Sequence, residues 1–297
     1  MKVSVKEELV KRSGGVFAAA YGVEGKEFTA TIAFTTRNGG YSRPPFDSLN
    51  LSPYVGDEPE NVSRNRRLVA SFFNAGDFYS VNQVHGSKLI LIDRSFQLVY
   101  PLGHLENEAD GFIITVPEAP AGVLTADCLP VVLVAEPGLA AVVHGGWRGI
   151  RQGILHNAIR ALNDLGARKI VAFLGPCICE RCYEVGDEVV NLFKIDYPEA
   201  VLEPRKPDKK ELEKKKYLSL KLLGFTILQK FGGESFHLLD GKAVPYKGVF
   251  ADELLVVDIN LCTYEDLGFY SYRREKTTGR QVSIVCLEKK GREINEL

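Results

Sequence analysis

The chain reads as a mixed α/β sandwich. Three observations point there. Alternating β-branched runs dominate the first half, short apolar runs after Val131 are bounded by turn residues, and segments of helical spacing lie between them. All 297 residues are assigned to a single domain, with a charged loop near 203–217.

In chain order, the first element is ambiguous. Gly15–Val23 is apolar and follows Lys11 and Arg12, a loose likeness to a signal-peptide core. Glu7 and Glu8 oppose that reading, and the same residues read equally well as a strand. Phe28–Thr35 alternates and is rich in β-branched residues, so it is assigned as a strand. Asn61–Phe73 places Val62, Leu68, Val69 and Phe72 at helical spacing. Lys88–Ile92 and Gly111–Val116 are short strands, the second ended by Pro117. Val131–Ala135 and Ala140–Val143 read as buried strands, followed by a turn over Gly145–Gly149. Ile150–Leu165 is predicted to be one helix. It aligns Ile150, Ile154, Ala158, Ala161 and Leu165 on one face, with Gly166 as its carboxyl cap. Lys169–Leu174 is a strand and Val185–Phe193 a helix. Glu203–Tyr217 opens with two prolines and continues as a charge run, a solvated loop leading into a further helix.

Composition narrows the class of function. Lys and Arg total 37 against 38 Asp and Glu, a net charge of −1, which removes the electrostatic footprint of a dedicated nucleic-acid binder. No apolar run reaches the roughly 18 residues of a membrane span, since Glu136 and Pro137 interrupt Val131–Val143. Six cysteines are too sparse for a disulfide scaffold in a chain of this length, so they read as reduced thiols of a cytoplasmic protein. A monomer that binds neither nucleic acid nor membrane is expected.

Three places combine reactive side chains with turn residues. His85 lies in Asn82-Gln83-Val84-His85-Gly86, Cys128 in Thr125-Ala126-Asp127-Cys128-Leu129-Pro130, and His144 opens His144-Gly145-Gly146-Trp147-Arg148-Gly149. Two imidazoles and one thiolate supply three ligands for zinc and leave a fourth position for water. The long spacing carries no local metal signature. A buried small hydrophobe and two satisfied imidazoles fit the same residues. After His144, the glycine turn, Arg148 and the start of a helix suit an anion, through backbone N–H groups and a guanidinium. Asp127 is a candidate carboxylate for orienting a ligand.

A further place is Cys177-Ile178-Cys179-Glu180-Arg181-Cys182. It could hold zinc or an iron–sulfur centre only with a fourth ligand from Cys262 or Cys286. With no second CxxC, it reads as a thiol cluster without metal. His156 is expected on the solvent side of its helix, and His104 and His237 are assigned no role. Arg37, in a glycine turn, is a second candidate for phosphate. Arg273 reads more simply as holding a hairpin.

The ordered series TTRNGGYS (35–42), SLNLS (48–52), VGD (55–57), NQVHG (82–86), ADG (109–111), TADCLPVVL (125–133), HGGWRG (144–149), LGPCI (174–178), YEVG (183–186), CT (262–263) and YSYRREKTTGR (270–280) resembles the YfiH or laccase-domain family. That family was formerly called multicopper polyphenol oxidase and is now regarded as purine nucleoside phosphorylase. The resemblance implies an α/β sandwich similar to certain Cys/His hydrolases, and zinc on His85, Cys128 and His144. It also implies phosphorolysis of adenosine, inosine, guanosine and methylthioadenosine, with deamination of adenosine. Arg148, Arg37, Asp127 and Gln83 are then the candidates for binding nucleoside or phosphate, and His85, Cys128 and His144 the catalytic ones. This sequence has Gly145 where the family usually has alanine. Lys216–Phe231 lacks the Asp and Asn expected of the family helix, Gly232–Leu254 looks extended, and the triple cysteine falls outside the usual pattern.

Two rival chemistries arise from the same residues. Cys128 and His144 could form a Cys–His amidase pair, and some family members are described as editing peptidoglycan precursors. A non-catalytic zinc module is the other. Copper oxidase chemistry is rejected, because five histidines with no His-x-His pair are too few.

Overall fold

Successive strand residues point to opposite sides of a sheet, so a strand buried at every position must be covered twice. Leu129–Ala135 is such a strand. Its Leu129, Val131, Leu133 and Ala135 enter one core, and Val132 and Val134 enter another. The computed structural model, which describes residues 1–203, 215–232, 244–246 and 253–290, explains this with stacked layers.

A five-stranded antiparallel sheet has the order Lys2–Val5, Phe17–Glu24, Phe28–Thr35, Gln281–Lys289, Ala121–Thr125. A seven-stranded sheet runs Val244–Tyr246, Glu253–Asp258, Lys169–Leu174, Leu129–Ala135, Leu139–Gly145, Gly111–Ile114, Ile90–Ile92. It is mixed: Lys169–Leu174 pairs parallel with Glu253–Asp258, and Ile90–Ile92 parallel with Gly111–Ile114. Between the sheets, Ile32, Phe34 and Val285 of the first meet Val132, Val142 and Phe173 of the second. The outer face of the seven-stranded sheet is covered by helices Ile154–Asp164 and Leu220–Gly232. That of the five-stranded sheet is covered by Glu7–Arg12 and Pro59–Ser71. The result is the expected mixed α/β sandwich.

Gly15–Val23 resolves as the strand Phe17–Glu24, with Phe17, Ala20 and Val23 buried. Among the described residues no helix is long and apolar enough to cross a membrane. The charge run falls largely on 204–214, outside the described residues, as does most of Gly232–Leu254. Where the chain resumes, Lys216–Leu218 is a short strand before the helix.

Three assignments need correction. The helix expected over Ile150–Leu165 is two helices, Trp147–Arg151 and Ile154–Asp164, separated at Gly153, which takes a φ of 88°. The break resets the helical phase, so the second helix buries Ile154, Leu155, Ala158, Ile159 and Leu162. Leu165 is left 41% exposed on the far side. The turn expected over Gly145–Gly149 is instead a strand end followed at once by helix. Val185 pairs with Lys216 in a strand, and the helix expected from Val185 starts at Asp187.

In helix Pro59–Ser71 the inward face includes two polar residues that periodicity alone passes over. Asn65 donates to the Ser42 hydroxyl and to the carbonyls of Ser48 and Asn50, and accepts from the Tyr41 N–H. Arg66 donates to Ser80 Oγ and the Phe78 carbonyl and pairs with Asp77 at 2.9 Å. Buried polar groups are retained where every donor finds an acceptor, and this pair ties the loops beside the site to the helix layer.

Candidate metal centre and substrate cavity

Cys128 sits where the chain leaves one sheet for the other. Strand Ala121–Thr125 belongs to the five-stranded sheet and Leu129–Ala135 to the seven-stranded one, so residues 126–128 form the crossing. Asp127 takes a φ of 99° there. Antiparallel register then sets Pro130 opposite His144 and Leu129 opposite Gly145, which brings Cys128 beside the end of the strand carrying His144. His85 arrives from the loop after Ser80–Asn82, with a φ of 59°.

The agent that folds this loop is Asp110. Its carboxylate accepts from the N–H groups of His85 at 2.9 Å, Gly86 at 2.6 Å and Val84 at 3.3 Å. It also bonds His144 Nδ1 at 2.8 Å, while its backbone carbonyl accepts from the His144 N–H. One side chain therefore orients both imidazoles. With Nδ1 of His144 committed, Nε2 is the nitrogen left for a ligand role. Burial pushes the Asp110 carboxyl up, but the hydrogen bond and charge of His144, with the loop N–H groups, outweigh it. The carboxyl is held below its ordinary value.

His85, Cys128 and His144 each offer one ligand atom, and the three atoms lie within 4.8 Å of one another. Cys128 Sγ is 3.9 Å from His85 Nε2, and the two imidazole centroids are 4.7 Å apart. A Cβ on Gly146 would meet His85 Cδ2 at 2.8 Å and Cys128 Sγ at 3.3 Å, so only glycine leaves the three side chains this close. The donor set fits a zinc ion: soft and borderline ligands, three in number, with a carboxylate behind one imidazole.

Without metal the same atoms form an ion pair. Burial pushes the Cys128 thiol up, but the charge and hydrogen bond of His144, aided by His85, bring it down to about 6. Burial pulls His144 down, but Cys128 and Asp110 raise it to about 9. A lowered thiol value means the thiolate persists as pH falls, down to about 6. Metal-free protein should therefore alkylate at Cys128 with iodoacetamide at a rate that half-saturates near pH 6, against 9.0 for an ordinary thiol. Zinc should suppress the reaction, and peptide mass spectrometry against pH checks both.

The three residues line a cavity of about 570 Å³. Its walls include Tyr54, Trp147, Tyr183 and Tyr272, and the cationic side chains Arg148, Arg273, Lys276 and Arg280. Arg148 is exposed and lies 4.4 Å over the Trp147 ring. Arg273 lines the cavity while donating to the Glu184 carbonyl at 2.7 Å. Arg280 is braced by the carbonyls of Thr278 and Gly279.

The other sequence candidates fall unevenly. Gln83 lines the cavity, but its side-chain amide is paired with the Leu124 backbone in both directions. Asp127 also lines it. However, its carboxylate accepts from Thr263 Oγ1 and the Arg273 N–H, and so anchors loops instead of orienting an imidazole. That role belongs to Asp110, whose position in Ala109-Asp110-Gly111 was visible only within the family pattern. Arg37 is not part of the lining. It bonds Glu275 at 2.6 Å and the Asp47 carbonyl at 2.8 Å and stacks on Tyr270, which leaves it a structural strut. Arg280 follows the glycine turn Thr277-Thr278-Gly279, a segment the sequence marks for its arginines, whereas Lys276 carries no such local signal, and only the fold shows that both line the cavity.

The sequence profile of the family described as multi-copper polyphenol oxidoreductase laccase matches residues 31–288. The chain belongs to this family. It is 33% identical over 260 residues to a Shigella flexneri protein named purine nucleoside phosphorylase YfiH, covering 85% of this chain and 92% of that one. A Mycobacterium bovis protein named purine nucleoside phosphorylase is 34% identical over 260 residues, covering 86% and 90%. Among solved structures, a Bacillus licheniformis hypothetical protein YfiH superposes with a TM-score of 0.70 at 26% identity, over 89% of this chain and 98% of that one. A Neisseria meningitidis protein of family DUF152 superposes at 0.68 with 30% identity, over 87% and 94%.

The family description mentions copper, but imidazoles are scarce at this site. His104 bonds Ser80 through Nδ1, and His156 lies edge-on to Phe231, half-buried rather than on the solvent side expected from its helix. His237 lies outside the described residues. Only His85 and His144 meet, among the described residues, in the group with Cys128.

Proposed function

We propose that this chain is a zinc-dependent purine nucleoside phosphorylase acting on adenosine, inosine, guanosine and methylthioadenosine, with adenosine deamination as a second activity. The observation that carries the reading is the placement of a His85–Cys128–His144 group in a cavity walled by aromatic rings and cationic side chains. The names of the relatives agree with it. Zinc is favoured over copper because two imidazoles and one thiolate make an open three-ligand site, whereas copper oxidase centres draw on many imidazoles. Zinc held by His85, Cys128 and His144 would supply Lewis acidity toward a substrate oxygen or water.

The remaining work falls to the chain. In phosphorolysis, phosphate attacks C1′ of the ribose as the bond to the purine breaks and positive charge builds on the sugar. Arg148, Arg273, Lys276 and Arg280 bring positive charge to the cavity lining, which would hold an incoming phosphate against that carbon. Trp147, Tyr183 and Tyr272 offer flat apolar surfaces for the base. Tyr183 lines the cavity, and its phenol, raised by burial, keeps its proton and offers a hydrogen bond to the purine. Asp110 fixes His144 and the His85 loop throughout. A monomer in the cytoplasm, where a reducing setting keeps the six cysteines as thiols, is part of this proposal.

The test is product chromatography on protein of known metal content, with adenosine and inosine, with and without phosphate. Free base that forms only with phosphate is the expected result. Inosine formed from adenosine without phosphate supports deamination. One observation favours a second reading, a Cys–His amidase: Cys128 and His144 share one group, and Asp110 holds His144 Nδ1 at 2.8 Å as an orienting partner. Amide cleavage that survives rigorous chelation, with no nucleoside turnover, would replace the first reading by the second.

A further inference from the structure

Apart from the cavity lies a second group, Cys179, Cys182, Cys262 and Glu265, whose candidate ligand atoms all fall within 4.8 Å of one another. None of the four lines the cavity. We propose that these residues hold a structural zinc ion, which clips the loop after strand Lys169–Leu174 to the loop after strand Glu253–Asp258.

The spacing of the atoms argues for one small ion. Zinc–sulfur bonds of about 2.3 Å in a tetrahedron separate the sulfurs by about 3.8 Å. Here Cys179 Sγ and Cys182 Sγ are 3.5 Å apart, and Cys182 Sγ is 3.6 Å from Glu265 Oε1. The backbone is already shaped to that end. Cys179-Glu180-Arg181-Cys182 has the CxxC spacing of zinc knuckles, and the N–H groups of Cys182 and Tyr183 both donate to the Cys179 carbonyl. That turn leaves both thiols on one side. The Cys179 N–H points at Cys262 Sγ at 3.3 Å, a donor placed where a thiolate needs one. Cys177 and Cys262 form a parallel β-bridge, with Cys177 N donating to the Leu261 carbonyl and Thr263 N to the Cys177 carbonyl, which sets the two loops in register.

The fourth ligand is oriented as metal-bound carboxylates are. Arg181 holds Glu265 Oε2 at 3.0 Å and leaves Oε1 beside Cys182. Three thiolates and one carboxylate suit zinc. Magnesium and calcium require oxygen ligands, and an iron–sulfur cluster takes four cysteines and spreads them around its bridging sulfides. On this proposal a closed site takes the place of the thiol cluster without metal expected from the sequence, because Cys262 and Glu265 arrive from a distant segment. Its neighbour Thr263 donates to Asp127, one residue before Cys128, so the clip braces the crossing loop of the other site.

The test uses full-length protein purified under reductant from zinc-supplied cells. In a Cys128→Ala background, any thiolate-to-metal signal must come from the second group. Elemental analysis is expected to find zinc there at about one per chain, lost in Cys128→Ala/Cys182→Ser and reduced in Cys128→Ala/Glu265→Gln. Cobalt exchanged into the Cys128→Ala protein should give intense sulfur-to-cobalt charge transfer, which keeps the test open if the double variants fold poorly. Absence of zinc and of that absorption overturns the proposal. So does zinc that survives Cys182→Ser, iron or copper in its place, or recovery of Cys179 and Cys182 as a disulfide. None of these readouts depends on nucleoside turnover, so this inference and the proposed reaction fail separately.

Discussion

Replacing His144 by alanine should abolish both metal retention at the cavity and the phosphorolysis proposed for it, a fall in kcat/KM on the order of 10³-fold or more. The size follows from the several kcal/mol that a Lewis acid contributes to a charged transition state, at 1.36 kcal/mol per tenfold. The variant removes the ligand nitrogen, leaves Cys128 without the charge that lowers its thiol, and deprives the buried Asp110 of one partner. The last effect adds a stability cost of about 1–3 kcal/mol, since a buried carboxylate is left short of a donor. Steady-state kinetics, elemental analysis and thermal melting measure the three consequences separately. A His156→Ala variant, whose ring packs on Phe231 and does not line the cavity, should keep its activity. Full activity in His144→Ala protein would remove the catalytic reading of the site.

The second large effect is expected from Asp110→Asn. The substitution conserves volume but discards the charge that faces His144, and one of its two terminal atoms becomes a donor set against the N–H groups of the His85 loop. Partners behind a metal-binding histidine typically contribute 10–100-fold in metal affinity or activity, and a loss of about that size is predicted. Competition with a fluorescent chelator measures the affinity, and the same assay as above measures turnover. Asp127→Asn provides the contrast. Its carboxylate anchors Thr263 and the Arg273 N–H, so the main expected change is in KM, through the loop that carries Arg273. Equal effects of both variants on metal affinity would count against assigning the orienting role to Asp110 alone.

Much of this site was legible before any coordinates, and the reason is chemical. His85, Cys128 and His144 are metal-competent side chains placed beside glycine or proline at strand ends, where backbone can approach closely. What the pattern could not reveal was which polar residues act on each other. Asp127, adjacent to Cys128, looked like the orienting carboxylate, yet in the crossing its carboxylate is taken by Thr263 Oγ1 and the Arg273 N–H. Asp110 is remote in sequence and reaches His144 only because Gly111–Ile114 pairs with Leu139–Gly145. Arg37, in its glycine turn, looked ready for phosphate, but Glu275 and Asp47 had already neutralised it. The cysteines divide in the same way. CxxC at Cys179 and Cys182 is local, whereas Cys262 and Glu265 join it through a β-bridge between distant loops.

From its sequence alone this chain determined the alternation of strands and helices, the layered sandwich and the three ligand-type side chains. Those follow from periodicity and side-chain chemistry, which are local properties. The tertiary structure alone decided where the helix after His144 breaks, which carboxylate holds the imidazoles, which cations face the cavity and which thiols share a corner. Each of these depends on strand register and on competition among partners for one buried charge, and neither is encoded at any single position.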